Sequence, residues 1–564
     1  MLRTPRPYIA VIAVAALGLA LTSRSAAAQE PQPPASAPEQ LSPIAEPPSL
    51  QLAQAPPELP SPPSSAASAN KAADEPPLGG FHNGLFFLRD RSDAFRLYVM
   101  GRVHLDGLTY LGSGISSLGP DSALKTTLQL RRARPEIGGE FFQDWQWLLS
   151  VDLAPTANDN PAARTASRSC AVDPTSGAQT CSDATNPVEA PLQRPAVTDA
   201  FVNYGPSPWV NLQFGQYLIP FTMENRVADN TTPFLERSLV SRGLGAPFTR
   251  DIGAMLWGQA EDALVYYTVG IYNGDGANRP NADSRFDVVG RAFTRPFVTT
   301  RGSLLESAQI GASGRYGSRD SKLVGYDVPS LTTQGGYAFW KATYKDSLNR
   351  TTHIIPSGDQ AAVAVDLFLP VNRFDLTSEV VYAVASSREA VDGYQLSPFT
   401  ERTTSLKGYA YYVQLGAWLL GSREIIGGGP SYGKPLHLDL KRPQKAPARG
   451  LQLLARVERL HETYSGPRDG KLDARSPIGD IDVTSLAFGM NFWATRHLRV
   501  GLNYTFYTFP DSAPVTPSVA GGPVQTQAQR AVAPAQLLAK GADDDARDHA
   551  HSLHELQMRV GVQF

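Results

Sequence analysis

The chain has 564 residues, 42% hydrophobic, 9% aromatic and 18% charged, with a formal net charge of −2 and a mean hydropathy of −0.23. So balanced a charge offers no global attraction to a polyanion, and no nucleic-acid partner is expected. Beyond the N-terminus no run reaches the roughly 18 consecutive apolar residues of a transmembrane helix, which excludes a helical membrane protein but not a β-barrel.

Arg3 and Arg6 precede the apolar run Tyr8 to Leu21, and Ala26-Ala27-Ala28 stands before Gln29. That is the layout of a cleaved secretory signal peptide over residues 1–28. Residues 29–80 are rich in Pro, Ala, Ser and Glu and almost free of aromatics. Such a composition buries too little apolar surface to offset its ordering entropy, so a disordered periplasmic linker is expected there. Residues 81–564 are then expected to form a single β-barrel.

Strand periodicity sets in at Phe95. Phe95, Leu97, Val99, Val103 and Leu105 alternate with Arg96, Tyr98, Arg102, His104 and Asp106. The same period of two recurs at 124–140, 145–154, 197–204, 209–219, 250–258, 263–273, 285–295 and 307–316. It continues at 360–369, 374–384, 407–420, 450–461, 482–493, 498–508 and 553–564, giving with 95–110 sixteen candidate strands. Each is near the ~9–11 residues that a tilted strand needs to cross a bilayer. The connections alternate short and long, as in outer-membrane barrels, with 421–449 as the exception. A missed hairpin there or in 337–346 would change the count by two.

The final strand has one apolar parity (Leu556, Met558, Val560, Val562, Phe564) and one polar parity (Gln557, Arg559, Gly561, Gln563). It stops on an aromatic, Phe564, like the closing strand of a bacterial outer-membrane barrel. The competing reading is an edge strand of a soluble all-β domain. In the barrel reading the apolar face meets lipid and the polar face meets water. The fold expected is therefore all-β: a transmembrane antiparallel up-and-down barrel of about 16 strands.

Several ordered blocks are more specific than periodicity. They are V-T-D-A-F-V-N-Y at 197–204, N-L-Q-F-G-Q-Y-L-I-P-F-T-M-E-N at 211–225, F-L-E-R-S-L at 234–239 and R-D-I-G at 250–253. Y-N-G-D-G-A-N at 272–278 and D-V-V-G-R-A-F-T-R-P-F at 287–297 follow. Together with R-R-A-R at 131–134, G-Y-A-Y-Y-V-Q-L-G-A-W-L-L-G at 408–421 and G-M-N-F-W at 489–493, they make the chain resemble the phosphate-selective porin O and P family of outer-membrane proteins. The resemblance runs from about residue 95 to 564. It implies a sixteen-stranded, water-filled barrel in the outer-membrane bilayer, usually a homotrimer, that passes small anions. It also implies that barrel assembly machinery reads the terminal Phe564. Gly421-Ser422 departs from the Gly-Glu common in the family.

The connection 220–249 carries Glu224, Arg226, Asp229, Glu236, Arg237 and Arg242 beside Phe221, Phe234 and Phe248. A loop so placed folds into the lumen of general porins and narrows it, and charge at a constriction sets ion selectivity. The alternative is a loop that decorates the outside. Arg131, Arg132 and Arg134 cannot all face water on a regular strand, so a bulge near Pro135 is expected. Guanidiniums lining a pore suit phosphate or carboxylate, and an ion-pair ladder with wall carboxylates is the other reading. The anion-facing set is taken as these three with Arg226, Arg237 and Arg242, joined by Arg102 and Arg291. Glu224, Asp229 and Glu236 compete with it.

Cys170 and Cys181, in a polar stretch of an exported chain, are expected to form one local disulfide. Gly429-Pro430-Ser431-Tyr432-Gly433 matches G-x-S-x-G, but Pro435 stands where a helix must start, so no nucleophile elbow is expected. His549, His551 and His554 behind Asp543–Asp545 are read as a solvated turret. No enzyme activity, cofactor or metal is expected. The function expected is passive diffusion of small hydrophilic solutes, among them anions such as phosphate. The alternatives are an anchoring or adhesive barrel with a plugged lumen and, further off, a barrel hydrolase.

Overall fold

The computed structural model describes residues 77–111, 126–154, 166–172, 179–185, 196–245, 249–320, 326–340, 342–345, 350–391, 402–430, 432–440, 448–466, 478–509 and 552–564. In chain order the strands are β1 (Gly79–His82), β2 (Leu85–Arg89), β3 (Phe95–Leu111), β4 (Thr127–Phe141), β5 (Trp145–Asp152), β6 (Ala166–Val172) and β7 (Gln179–Thr185). Then come β8 (Ala196–Ser207), β9 (Val210–Leu218), β10 (Arg250–Gln259), β11 (Val265–Tyr272), β12 (Asp287–Thr294), β13 (Gln309–Arg319), β14 (Leu331–Thr332), β15 (Ala338–Trp340) and β16 (Thr343–Lys345). The last are β17 (Thr351–Val371), β18 (Phe374–Val391), β19 (Arg402–Leu420), β20 (Gly450–Tyr464), β21 (Gly479–Thr495), β22 (Leu498–Thr508) and β23 (Ser552–Gln563). Between β9 and β10 lie one α-helical turn, α1 (Met223–Arg226), and a π-helical turn over Val240–Gly245.

A single antiparallel sheet joins nineteen of these strands. β3 pairs with β4 on one edge and with β23 on the other, from His554↔Leu111 to Gln563↔Arg102, so the sheet closes on itself. Setting aside β1, β2 and β16, sixteen strands form the wall, and each answers to one of the sixteen segments read from the sequence. Closure leaves no strand edge unpaired in lipid. The β1–β2 hairpin pairs with β3 through Phe86↔Val99 to Arg89↔Arg96, on the same edge as β23 and just below its end.

The burial pattern is the inverse of a soluble protein. Met558 and Val562 of β23 are 46% and 42% exposed, whereas Glu555 and Arg559 are 1% and 4% exposed. The same inversion holds around the wall, with Leu105, Phe214, Val363 and Phe488 outside and Asp199, Arg291, Glu379 and Arg456 inside. An apolar exterior suits the hydrocarbon region and a polar interior suits a wet lumen.

Two of the wall's register shifts bear on the lumen. Opposite His104 and Leu105, β4 presents Arg132 and Leu130, so Arg131 is an inserted residue. This bulge turns Arg131 and Arg132 to the same side, and with Arg134 all three are buried inside. A bulge is thus present, four residues before Pro135. In β17 the register jumps between Pro356 and Gln360, at Gly358, whose φ is +76°.

β17, β18 and β19 have 21, 18 and 19 residues, about twice the bilayer requirement of ~9–11. The outer half of β17 escaped the periodicity because residues 352–357 are buried on both faces. Within 337–346 only the short β15 and β16 occur, and no strand lies among the described residues of 421–449. The wall count therefore stays at sixteen. The first two residues of β1 fall in the segment assigned to the linker, while residues 1–28 and 29–76 lie outside the described residues.

Candidate functional site

The β9–β10 connection enters the barrel and seats against the inner faces of β3, β4 and β20–β23. Asp229 is its centre. Arg134 Nη1 lies 2.5 Å and Arg132 Nε 2.7 Å from Asp229 Oδ2, and Arg102 pairs with Oδ1. Arg134 also holds Asp152 at 2.6 Å, and Arg102 also holds Glu136. Glu236 Oε1 receives Arg559 Nη2 at 2.7 Å and Arg131 Nε at 3.1 Å. Burial opposes charge on both acids, yet the surrounding guanidiniums outweigh it and keep both carboxyls well below the usual range.

Neutral acceptors complete the seat. Arg499 donates to the carbonyls of Pro233 (2.6 Å) and Thr232 (2.8 Å), and Arg559 to that of Leu235 (2.6 Å). Arg456 lies over the Phe234 ring, 4.3 Å from its centroid. On the opposite wall, Glu379 accepts from the backbone N–H groups of Met223 (3.2 Å) and Glu224 (2.6 Å), where α1 begins. Glu224 turns back into the loop, where the hydroxyls of Ser238 (2.5 Å) and Ser241 (2.7 Å) donate to it.

Three loop arginines are held by carbonyls alone in this seat. Arg237 donates to Val227 O (3.0 Å), and Arg242 to Arg237 O (2.8 Å) and to Thr332 O. Arg226 donates to Leu218 O and, at 2.8 Å, to Tyr432 O. That last bond leaves the loop for the β19–β20 connection, the long one that broke the length rule.

This connection is a strap across the periplasmic mouth. From β19 it passes Asp375, which Arg423 Nε reaches at 2.7 Å. It then places Tyr432 5.0 Å from the Tyr266 ring and 5.4 Å from Phe293, at the ends of β11 and β12. Leu438 next packs on Tyr98 and Phe87, its carbonyl accepting from Arg96 at 2.6 Å, and His437 Nδ1 lies 3.0 Å from Glu140. Counted from β3, the contacts move from the seventh and eighth wall strands to the first and second, six strands away around the sixteen-stranded wall. On the outer side, Thr333 and Gly335 cross to Glu555 of β23, Gly335 N at 3.0 Å.

The structure thus gathers Arg102, Arg131, Arg132 and Arg134 with Asp229 and Glu236 in one cluster. It separates Arg291, which holds Asp366 at 2.5 Å on the far wall. Phe234 is buried in the seat, and Phe564 closes the seam against Gly101. Cys170 stands directly opposite Cys181 in the β6–β7 ladder. Ser431, His549 and His551 lie outside the described residues, and His554 meets Tyr504 Oη at 2.6 Å. The strap residues Tyr432 and Leu438 and the carboxylate Asp366 were not singled out from the sequence. The anomalous length of 421–449 was the one available signal for the strap.

The sequence pattern of the family described as phosphate-selective porin O and P matches residues 118–529, well over half of the chain. No curated protein matches the chain. Similar solved structures include OmpT of Vibrio cholerae (10% identity, 85% of this chain and 100% of that one, TM-score 0.43). Others are the outer-membrane channel DcaP of Acinetobacter baumannii (11%, 85% and 99%, 0.41) and an anion-selective porin from Comamonas acidovorans (9%, 83% and 100%, 0.37). The chain belongs to the phosphate-selective porin O and P family and is an outer-membrane channel of sixteen strands.

Proposed function

We propose that the channel passes small hydrophilic solutes by passive diffusion and favours small anions, phosphate among them. The observation that carries the anion preference is electrostatic. Arg226, Arg237, Arg242 and Arg499 have neutral hydrogen-bond partners and no carboxylate in ion-pair range among the described residues. Their charge is therefore not cancelled locally, unlike that of Arg102, Arg131, Arg132 and Arg134. Glu379 and Glu555, which likewise lack a guanidinium partner among the described residues, set the opposing field. Membership of a family described as phosphate-selective supports the same direction.

The proposal includes export by a signal peptide over 1–28, a linker over 29–80, insertion by barrel assembly machinery, a homotrimer, a Cys170–Cys181 disulfide and no catalysis. Single-channel recording in planar bilayers tests the central point. Stepwise conductance, with a zero-current potential shifted to the anion side in a salt gradient, is expected.

A second reading has its own observation. The loop, the strap and the Thr333–Gly335 crossing all span the lumen, as a barrel used for anchoring with a plugged interior would require. A purified, folded barrel that gives no conductance steps at any voltage would replace the diffusion reading with this one.

A further inference from the structure

We infer that the outer half of the lumen contains a binding bay for an elongated zwitterion, with the ammonium and carboxylate at opposite ends of a short peptide. The bay is written in the register. Arg315 stands opposite Ala362, Ala362 opposite Ala383, Ala383 opposite Gly408, and Gly408 opposite Glu462. One cross-strand row from β13 to β20 thus carries a cation, three small residues and an anion, all facing inward. At the middle of the row, Ala383 leaves a recess in the wall. Trp340 and Leu331 from the outer loop and Gly243 from the inward loop face it across an open pocket that Arg315 and Glu462 also line.

Glu462 lacks the donors that burial demands, and Arg315 is only partly satisfied. Glu462 is 6% exposed, and no donor among the described residues reaches its carboxylate. Arg315 is 7% exposed, its Nε has no acceptor, and its one ion pair, to Asp287, is long at 3.4 Å. Arg319 already occupies Asp287 at 2.7 and 3.1 Å. A buried charge with donors or acceptors left unpaired is costly, so each of these groups has more to gain from a ligand than a fully paired wall residue has.

Four strand spacings of ~4.8 Å separate the two positions by about 19 Å of wall. Inward reach of the two side chains shortens that gap to the length of a di- or tripeptide. A carboxylate would take the forked donors of Arg315, an ammonium would take Glu462, and the apolar lining would accept small side chains.

The test uses trialanine, N-acetyl-trialanine and trialanine amide, titrated calorimetrically into the full chain in detergent. Conduction is not required, so the outcome is separate from that of the diffusion proposal. Trialanine should bind, and each blocked derivative should bind roughly tenfold or more weakly. Glu462→Gln should remove the discrimination against the acetyl derivative, and Arg315→Gln that against the amide. Ala383→Phe, which fills the recess while leaving both charges, should abolish binding; heat-modifiable migration verifies that each variant folds. No binding of trialanine, equal binding of all three peptides, or unchanged binding to Ala383→Phe would each overturn the inference.

Discussion

Phe564 and Gly101 form a hydrogen-bonded pair across the seam of the barrel. Gly101 N donates to Phe564 O at 2.9 Å, and Phe564 N donates to Gly101 O at 3.0 Å. A Cβ on residue 101 would lie 2.6 Å from the Phe564 ring, so glycine lets the terminal aromatic lie across β3. Deleting Phe564 removes both bonds and the last outward aromatic. We expect failed membrane insertion with export little changed. Heat-modifiable barrel at normal levels in outer-membrane fractions would count against this.

The loop seat should be acid-sensitive. Asp229 and Glu236 are held below their unfolded values of roughly 4, so their contribution is complete at neutral pH and is lost as pH falls through the lower native values. Asp229→Asn imitates that loss at neutral pH by leaving Arg102, Arg132 and Arg134 facing one another. Removing one member of a buried ion cluster costs about 3–5 kcal/mol. The variant should show noisy, larger conductance at neutral pH, and the wild type should show it only in acid. Quiet traces in both conditions would show that the loop stays seated without these charges.

The strap should limit flow at the periplasmic side. Replacing residues 426–446 with a short turn removes Tyr432 and Leu438 and frees Arg226. Conductance should rise with the wall unchanged. If conductance is unaltered in a folded variant, the narrowest point lies at the loop.

Selectivity should divide the arginines into two groups. Converting Arg237 and Arg242 to Gln removes charge that only carbonyls compensate, so the zero-current potential should move toward cations. At ~0.15 M salt the screening length is about 8 Å, so charges on the inserted loop act on an ion near the axis more than charges at the mouth. Converting Arg131, Arg132 and Arg134 should move it further, because Asp229 and Glu236 then lose their partners, and should also loosen the loop. Identical potentials in wild type and the Arg237/Arg242 variant would refute the anion mechanism.

The wall was legible because lipid and water enforce a period of two, and all sixteen strands carry it over at least part of their length. It failed at residues 352–357, where the outer loop covers one face and both parities are buried. The polar parity of the last strand also placed Arg559 inside, as found. What the ligands of the inward arginines are was not legible. Asp229 reaches Arg102, Arg132 and Arg134 only because the loop folds across the lumen, and no local pattern encodes so distant a contact. The β1–β2 hairpin was missed because Gly79 to Arg89 is too short to rise above its Pro-rich surroundings.

Arg131 has a further meaning. Leu128, Leu130, Ala133 and Pro135 point outward or lie toward the outer face, while Arg132 and Arg134 point inward. Strike Arg131 from that series and the alternation runs on unbroken. The chain on either side keeps time as though the residue were not there. In a regularly paired stretch of wall the loss of one residue would invert half a strand and send charges into lipid. Here it would cost one guanidinium and leave the beat intact, so the position where a third arginine was gained is also one where the sheet tolerates a change of length.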